Sequence, residues 1–287
     1  MRLAPVAKQR PRVAVVGHVE WVQFAHVEHV PSAGEVVHAS DPFEEPAGGG
    51  SVAAVQLARL AGEALFITAL GDDEYGHRSV ARLGELGVEV QAAFDETPSR
   101  RAVTLVDATG ERTITTFGPR LDPRGDDGRE HWSALAGVDA VYFTAGDVAA
   151  LRTARSSARV LVASPRARSA LGHGVPLDAL VLSDDDEIEL CELGDAQAEA
   201  RLVAWTEGDR GGHYRDASGV SGRWEAVPPA GEVVDSYGCG DSFVAGLAYG
   251  LGAGLDVPEA LALAARCGAV CLTGRGPYGR QLTGDEL

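Results

Sequence analysis

Long apolar runs are missing from this 287-residue chain. No stretch approaches the ~18 apolar residues that a bilayer-spanning helix needs, so a membrane protein is not expected. The N-terminus carries Arg2, Lys8, Arg10 and Arg12, but the run that follows, "VAVVG", is too short for the core of a secretory signal. Cysteine is scarce: Cys191, Cys239, Cys267 and Cys271 make no CxxC pair and no His–Cys cluster with zinc spacing. Cys267 and Cys271 stand one helical turn apart in an alanine-rich segment, where buried thiols are expected. Reduced thiols point to the cytoplasm. Positive charge is also short. Lys+Arg number 25 against 42 Asp+Glu, a formal net charge of −17. Such a surface repels phosphate backbones and anionic lipid, so neither nucleic acid nor a membrane surface is an expected partner. Neither GxxxxGK[ST] nor GxGxxG after the first strand occurs, which speaks against a P-loop and a dinucleotide fold. Internal repeats and low-complexity tracts are absent too.

What is present is core material: 45% of the residues are hydrophobic, enough for one large α/β domain or two small ones. "RVAVVG" (12–17) reads as a buried first strand. "HVEWVQFAHVEHV" then alternates, with His18, Glu20, Val22 and Phe24 on one face. A short strand is expected at 35–39, and a helix at 51–61 capped by Ser51. A strand "ALFITALG" and a helix ending at Gly87 follow. "RRAVTLVDATGERTITTF" predicts a hairpin turning at 108–111. Beyond it come the strands "AVYFTA", "RVLVAS", "ALVLS" and "RLVAWTE", a late pair "GGHYRD" and "GRWEAV", and two closing helices near 241–251 and 257–272. Apolar β-branched runs without alternation predict a parallel sheet covered on both faces. The expected fold is a three-layer α/β/α, doubly wound and mostly parallel sheet, made of residues 1–17, 48–94 and 118–287. The excursions 18–47 and 95–117 are expected to form one small β lid.

Three glycine-rich turns carry candidate chemistry. In "DSYGCGD", Asp235 to Asp241, small residues before a helix let backbone N–H groups converge on one spot, which the helix dipole makes an anion site. Asp241 at its edge is placed to take a proton from an alcohol attacking a phosphoryl group. Taken alone, an ordinary aspartate cap is the simpler reading. Gly48, Gly49 and Gly50 precede another helix and remove side chains where something must approach the backbone. Thr206, Gly208 and Gly211 lie at a strand end suited to a nucleotide phosphate.

The order of these motifs along the chain closely resembles the ribokinase-like (PfkB) carbohydrate kinase family, from about Arg12 to Gly279. The resemblance implies ATP as phosphoryl donor, Mg²⁺ with it, and a primary hydroxyl as acceptor. It implies Asp241 as catalytic base and Gly238, Cys239 and Gly240 as the anion hole. Thr206, Gly208 and Gly211 would serve the nucleotide, and Gly48, Gly49 and Gly50 the sugar. Asp184 and Glu187 stand where the family has its N-x-x-E, with Glu187 acting on Mg²⁺ indirectly. Asp235 stands where some members bind a monovalent cation such as K⁺.

The resemblance breaks at the acceptor. The family's N-x-D reads Glu20-Trp21-Val22, leaving Glu20 as the carboxylate on that face, and Ala53 replaces an asparagine after the glycines. The expected acceptor is a sugar or sugar-like alcohol. A nucleoside stacked on Trp21 or Phe24 is the alternative, and a binding protein that has lost the chemistry is the second. Cys239 at the helix start is expected to be an acidic, reactive thiol. Free strand edges in the lid predict a homodimer through it.

Overall fold

A computed structural model describes residues 10–184 and 193–287. Thirteen strands are formed among them. Nine build one sheet: β1 (Val13–Val16), β4 (Ala64–Gly71), β5 (Val88–Asp95), β8 (Val138–Phe143), β9 (Ala158–Ala163), β10 (Ala179–Ser183), β11 (Leu202–Thr206), β12 (Gly212–Asp216) and β13 (Ser221–Trp224). Their order across the sheet is β13-β12-β11-β10-β9-β8-β1-β4-β5. All pairs are parallel except those that β12 makes with β11 and β13.

The missing alternation in the strands has a direct cause. Val13 and Val15 face one core cluster, while Ala14 and Val16 face the other. In β9, Val160 and Val162 join the first cluster, and Leu161 and Ala163 the second. Both faces are therefore apolar because both are covered. The first cover is α1 (Gly49–Ala61) with α6 (Cys239–Gly252) and α7 (Val257–Cys271), which contribute Leu57, Leu247 and Leu261. The second includes α3 (Arg129–Ser133), α4 (Val148–Ser157) and α5 (Gly194–Glu199), through Trp132, Leu151 and Ala196. The helix α2 (Glu74–Glu85) begins at an Asp73 cap whose carboxylate accepts from the Gly76 amide at 2.8 Å.

The two β excursions pair with each other. β2 (Glu20–His26), β3 (Ser40–Ala47), β6 (Arg101–Val106) and β7 (Arg112–Phe117) form a separate four-stranded sheet in the order β3-β2-β6-β7. β2 runs antiparallel to β3 and parallel to β6. The turn between β6 and β7 is held by Asp107, whose Oδ1 accepts from the Thr109 amide at 2.8 Å and the Glu111 amide at 3.1 Å.

Two local expectations are corrected. No strand forms at 35–39. Val36 is 84% exposed there, and the pairing that fixes β3 to β2 involves Ser40 to Ala47 instead. Ser51 does not cap α1. The helix starts at Gly49 behind a Gly48 cap with φ of +94°, and the Ser51 hydroxyl donates back to the Gly48 carbonyl at 3.1 Å.

Candidate active site

Two helices with glycine caps meet beside the carboxyl ends of the central strands. Gly238 caps α6 with φ of +83°, as Gly48 caps α1. No side chain caps either first turn, so the positive end of each helix dipole is left for another acceptor. Asp241 sits in the first turn of α6 and is only 6% exposed.

The glycines make this approach sterically feasible. A Cβ on Gly49 would lie 2.7 Å from Asp241 Oδ1 and 2.9 Å from Arg166 Cδ. On Gly50 it would lie 2.5 Å from the His18 carbonyl oxygen, and on Gly48 3.1 Å from His18 Nε2. Gly238 faces Val52 of α1 at 2.7 Å on the same measure, which seats the two helix starts together. Gly240 has nothing within 4 Å of its Cβ position. It opens on a cavity of about 290 Å³ that Asp241, Arg166, Ser164, Tyr142, Ser183 and Thr206 also line. Arg112 reaches this cavity from the small sheet, where it donates to the Ser236 hydroxyl at 3.0 Å.

The structure thus brings Asp241, Gly240, Gly49 and Thr206 around one region. Gly208 and Gly211 shape the turn that follows Thr206. A Cβ on Gly211, φ +85°, would strike the Trp224 carbonyl oxygen at 2.2 Å. Asp184 follows β10 and donates its amide to the Thr206 carbonyl at 2.9 Å. Glu187 lies outside the described residues.

Asp184, Glu207 and His213 bring ligand atoms within 4.8 Å of one another. Glu207 is already held by Arg223 at 2.6 Å and His213 at 2.9 Å, and its carboxyl is lowered to about 2, first by the Arg223 bond. A hard Mg²⁺ ion takes an all-oxygen shell, so this ion-paired cluster does not fit a resident magnesium. A larger depression of about 630 Å³ lies open over β12 and β13, and its lining includes Trp205 and Glu207, the neighbours of Thr206. Asp235 is 1% exposed, and burial raises its pKa. Its two oxygens accept from the amides of Tyr237 (2.8 Å) and Gly276 (2.9 Å), bracing the turn before α6.

Glu20 and His18 are buried beside Gly48, and the Gly48 amide donates to Tyr237 Oη at 3.0 Å. Burial raises the Glu20 pKa against the opposing pull of Arg100, Arg166 and Arg120. Burial, then those arginines, lowers that of His18. Arg166 Nε stands 3.2 Å from Asp241 Oδ1.

Several expectations fail here. Trp21 points to the opposite face of β2 from Glu20. It packs against Tyr75, lies under Arg78 and donates to Glu44 at 2.9 Å. Phe24 is 1% exposed, stacked on Phe43 and edge-on to Tyr237. Neither ring lines the cavity beside Asp241. Cys239 is not an acidic thiol: its hydrogen bond with Cys271, then burial, pushes its pKa up. Sequence reading also missed Arg112, Arg120 and Arg166. Their one local signal is position, an arginine just inside or just past a β element, which names no site by itself.

Fold and cleft together define an α/β protein with two helix starts at a strand-end crevice, an arrangement suited to anions and nucleotides. Residues 10–282 match the pfkB family carbohydrate kinases, and the chain belongs to that family of phosphotransferases. It is 30% identical over 282 residues to the ATP-dependent ribose-1-phosphate kinase of Halopiger xanaduensis, covering 90% of this chain and 91% of the relative. It is 28% identical over 277 residues to "Probable fructokinase-5" of Arabidopsis thaliana, covering 82% and 84%. The fold is that of Arabidopsis thaliana ribokinase solved with ribose and ATP. That match has a TM-score of 0.75 and 19% identity, over 96% of this chain and 97% of the other.

Proposed function

We propose that this protein transfers the γ-phosphoryl group of ATP to a hydroxyl of a small sugar-like acceptor, with Asp241 as general base. The observation that carries this reading is the burial of Asp241 in the uncapped first turn of α6, facing both the cavity and Gly49. The acceptor oxygen attacks the γ-phosphorus while the bond to the bridging oxygen breaks. ADP leaves with that electron pair, and the acceptor's proton passes to the Asp241 carboxylate. The amides of the first turn of α6 at Gly240 and Asp241 would face the charge that develops on the transferring group, while the Cys239 amide already donates to the Ser236 carbonyl at 3.4 Å. Thr206 and Ser183 line the side of the cavity where the nucleotide phosphates would lie. Magnesium, which neutralises phosphate charge, would arrive with the nucleotide.

Glu20 would accept from an acceptor hydroxyl, a reading supported by its Oε2, which is buried and makes no hydrogen bond among the described residues. The small sheet carries Glu20 on one side of the acceptor position and would act as its lid. Ile114 (40% exposed) and Phe117 (49%) on its edge strand β7 suit a second copy of the chain, read by sedimentation at micromolar concentration. A protein that has lost its chemistry is disfavoured by the intact helix start around Asp241. The test is ADP release against a panel of sugars, sugar derivatives and nucleosides, with Asp241→Asn as control. Nucleotide binding without ADP release on any acceptor would favour the binding-protein reading.

A further inference from the structure

We propose that Asp184, Glu207 and His213 bind a divalent transition ion of the zinc class, across the large sheet from the Asp241 cavity. The site stands apart from the kinase reading and from the magnesium that would arrive with the nucleotide. Its residues come from three neighbouring elements: Asp184 follows β10, Glu207 follows β11 and His213 lies in β12. Strand pairing fixes the face. Trp205 pairs with His213, and His213 with Arg223. Trp205 packs against the second core cluster, whereas Tyr214 and Trp224 pack against the first. His213 and Arg223 therefore share the face of Trp205, and Glu207 is bonded to both. The Asp241 cavity is lined instead by Val181 and Val244, which belong to the first cluster.

The geometry asks for more than an ion pair. His213 Nδ1 stands 2.9 Å from Glu207 Oε1 and 3.7 Å from Asp184 Oδ2. One ring nitrogen carries one proton, so the bond to Glu207 leaves Asp184 beyond hydrogen-bond reach. A metal ion in place of that proton would serve all three. Ligand atoms about 2.1 Å from a tetrahedral ion lie roughly 3.4 Å from one another. Here the three lie within 4.8 Å of one another, and small side-chain rotations would close the set. The side chains are half-buried, with exposures of 32% for Asp184, 12% for Glu207 and 35% for His213.

The surroundings suit ligands. His213 stacks on Trp205 with ring centres 4.9 Å apart and planes 9° apart, which fixes the imidazole. Arg223 donates to Glu207 Oε2 at 2.6 Å, as an outer partner holds a ligating carboxylate. Its longer bond to Oε1, at 3.1 Å, would yield to the ion, since the guanidinium is largely exposed. An imidazole nitrogen beside carboxylates selects zinc and its neighbours, whereas magnesium and calcium take oxygen. Water would complete the shell from the open depression that Glu207, His213 and Arg223 line. The ion would tie three strand ends together. The Asp184 amide already bonds the Thr206 carbonyl at 2.9 Å, and the Glu207 amide the Gly211 carbonyl at 2.8 Å. Metal on one face would thus stiffen the turn that carries Thr206.

The test uses the full chain stripped with a chelator. Zn²⁺ titrated by calorimetry should bind at one ion per chain, and excess Zn²⁺ should raise the Tm. Co²⁺ should give a visible ligand-field band that Zn²⁺ abolishes and excess Mg²⁺ leaves unchanged. His213→Gln and Asp184→Asn should each weaken Zn²⁺ binding by roughly 10-fold or more, since a lost ligand costs at least as much as a lost outer partner. Should His213→Gln fail to fold, Asp184→Asn reads the same loss. His77→Gln, which removes a surface histidine paired with Asp72 alone, should leave binding unchanged. Failure of the stripped wild type to bind Zn²⁺, equal binding by the wild type and both ligand variants, or displacement of Co²⁺ by Mg²⁺ would overturn the site.

Discussion

Arg166 and Asp241 form an ion pair at 3.2 Å in which the carboxylate is 8% exposed and the guanidinium 45%. The carboxylate is held by its place in α6, while the arginine stands on the more exposed segment that follows β9. Asp241→Asn keeps size and shape but removes the proton acceptor. It should fold and bind nucleotide normally, and lower kcat by about 10² or more. Near-normal turnover of the Asn variant, measured with the best acceptor found, would remove Asp241 from the role of base.

Gly49 separates activity from stability. It lies in the first turn of α1, and φ there is not in the left-handed region, so alanine suits the backbone. Helix propensity alone would leave Gly49→Ala equal or more stable by about 0.5–1 kcal/mol. Its Cβ would nevertheless lie 2.7 Å from Asp241 Oδ1 and 2.9 Å from Arg166 Cδ, so that one side or the other must move. The expected result is a Tm changed by only a few degrees, because the clash offsets the propensity gain, with kcat/KM down by roughly tenfold or more, since small misplacements at a reacting centre are costly. Unchanged kinetics would show that this contact does not matter to turnover.

These two residues show what the sequence carries. The glycine runs and Asp241 were legible because backbone geometry and capping leave local signatures. The parallel sheet was legible too, since strands such as Val13–Val16 are apolar on both faces. The union of the two β excursions followed from their shared character. Arg100, Arg120 and Arg166 could not be read as a site. They come close only because the start of β6 and the ends of β7 and β9 lie near one another, and no spacing records that. Trp21 and Glu20 illustrate the same limit within one strand. Alternation separates their faces, but which face meets the acceptor depends on the docking of the whole small sheet. Cys239 was misjudged because the helix dipole is local, whereas its hydrogen bond with Cys271 comes from α7.

That hydrogen bond gives a reactivity prediction. With its pKa raised, Cys239 should hold less thiolate at pH 8 than an ordinary cysteine, and it should alkylate more slowly than a small free thiol. Iodoacetamide labelling followed by peptide mass spectrometry measures this. The Cys271→Ala variant removes the first cause of the shift and should speed Cys239 labelling. Labelling of the wild-type residue at or above the free-thiol rate would contradict the assignment.

His18 supplies a pH dependence. It is 4% exposed, its Nδ1 makes no hydrogen bond among the described residues, and burial followed by the charges of Arg166, Arg120 and Arg100 holds its pKa well below 6.5. Between that depressed value and the unfolded value near 6.5, the unfolded chain binds the proton and the folded chain does not. Stability therefore falls as pH drops through this window and is fully present above it. Glu20 and Asp235, both raised by burial, act with the opposite sign: they favour the folded state as pH falls towards the carboxylate range. The Tm of the wild type should thus fall between pH 7 and pH 5. His18→Gln, which keeps a neutral polar side chain at every pH, should show a smaller fall. Thermal unfolding of both proteins at the two pH values reads this directly, and an equal fall in the variant would exclude His18 as the group responsible.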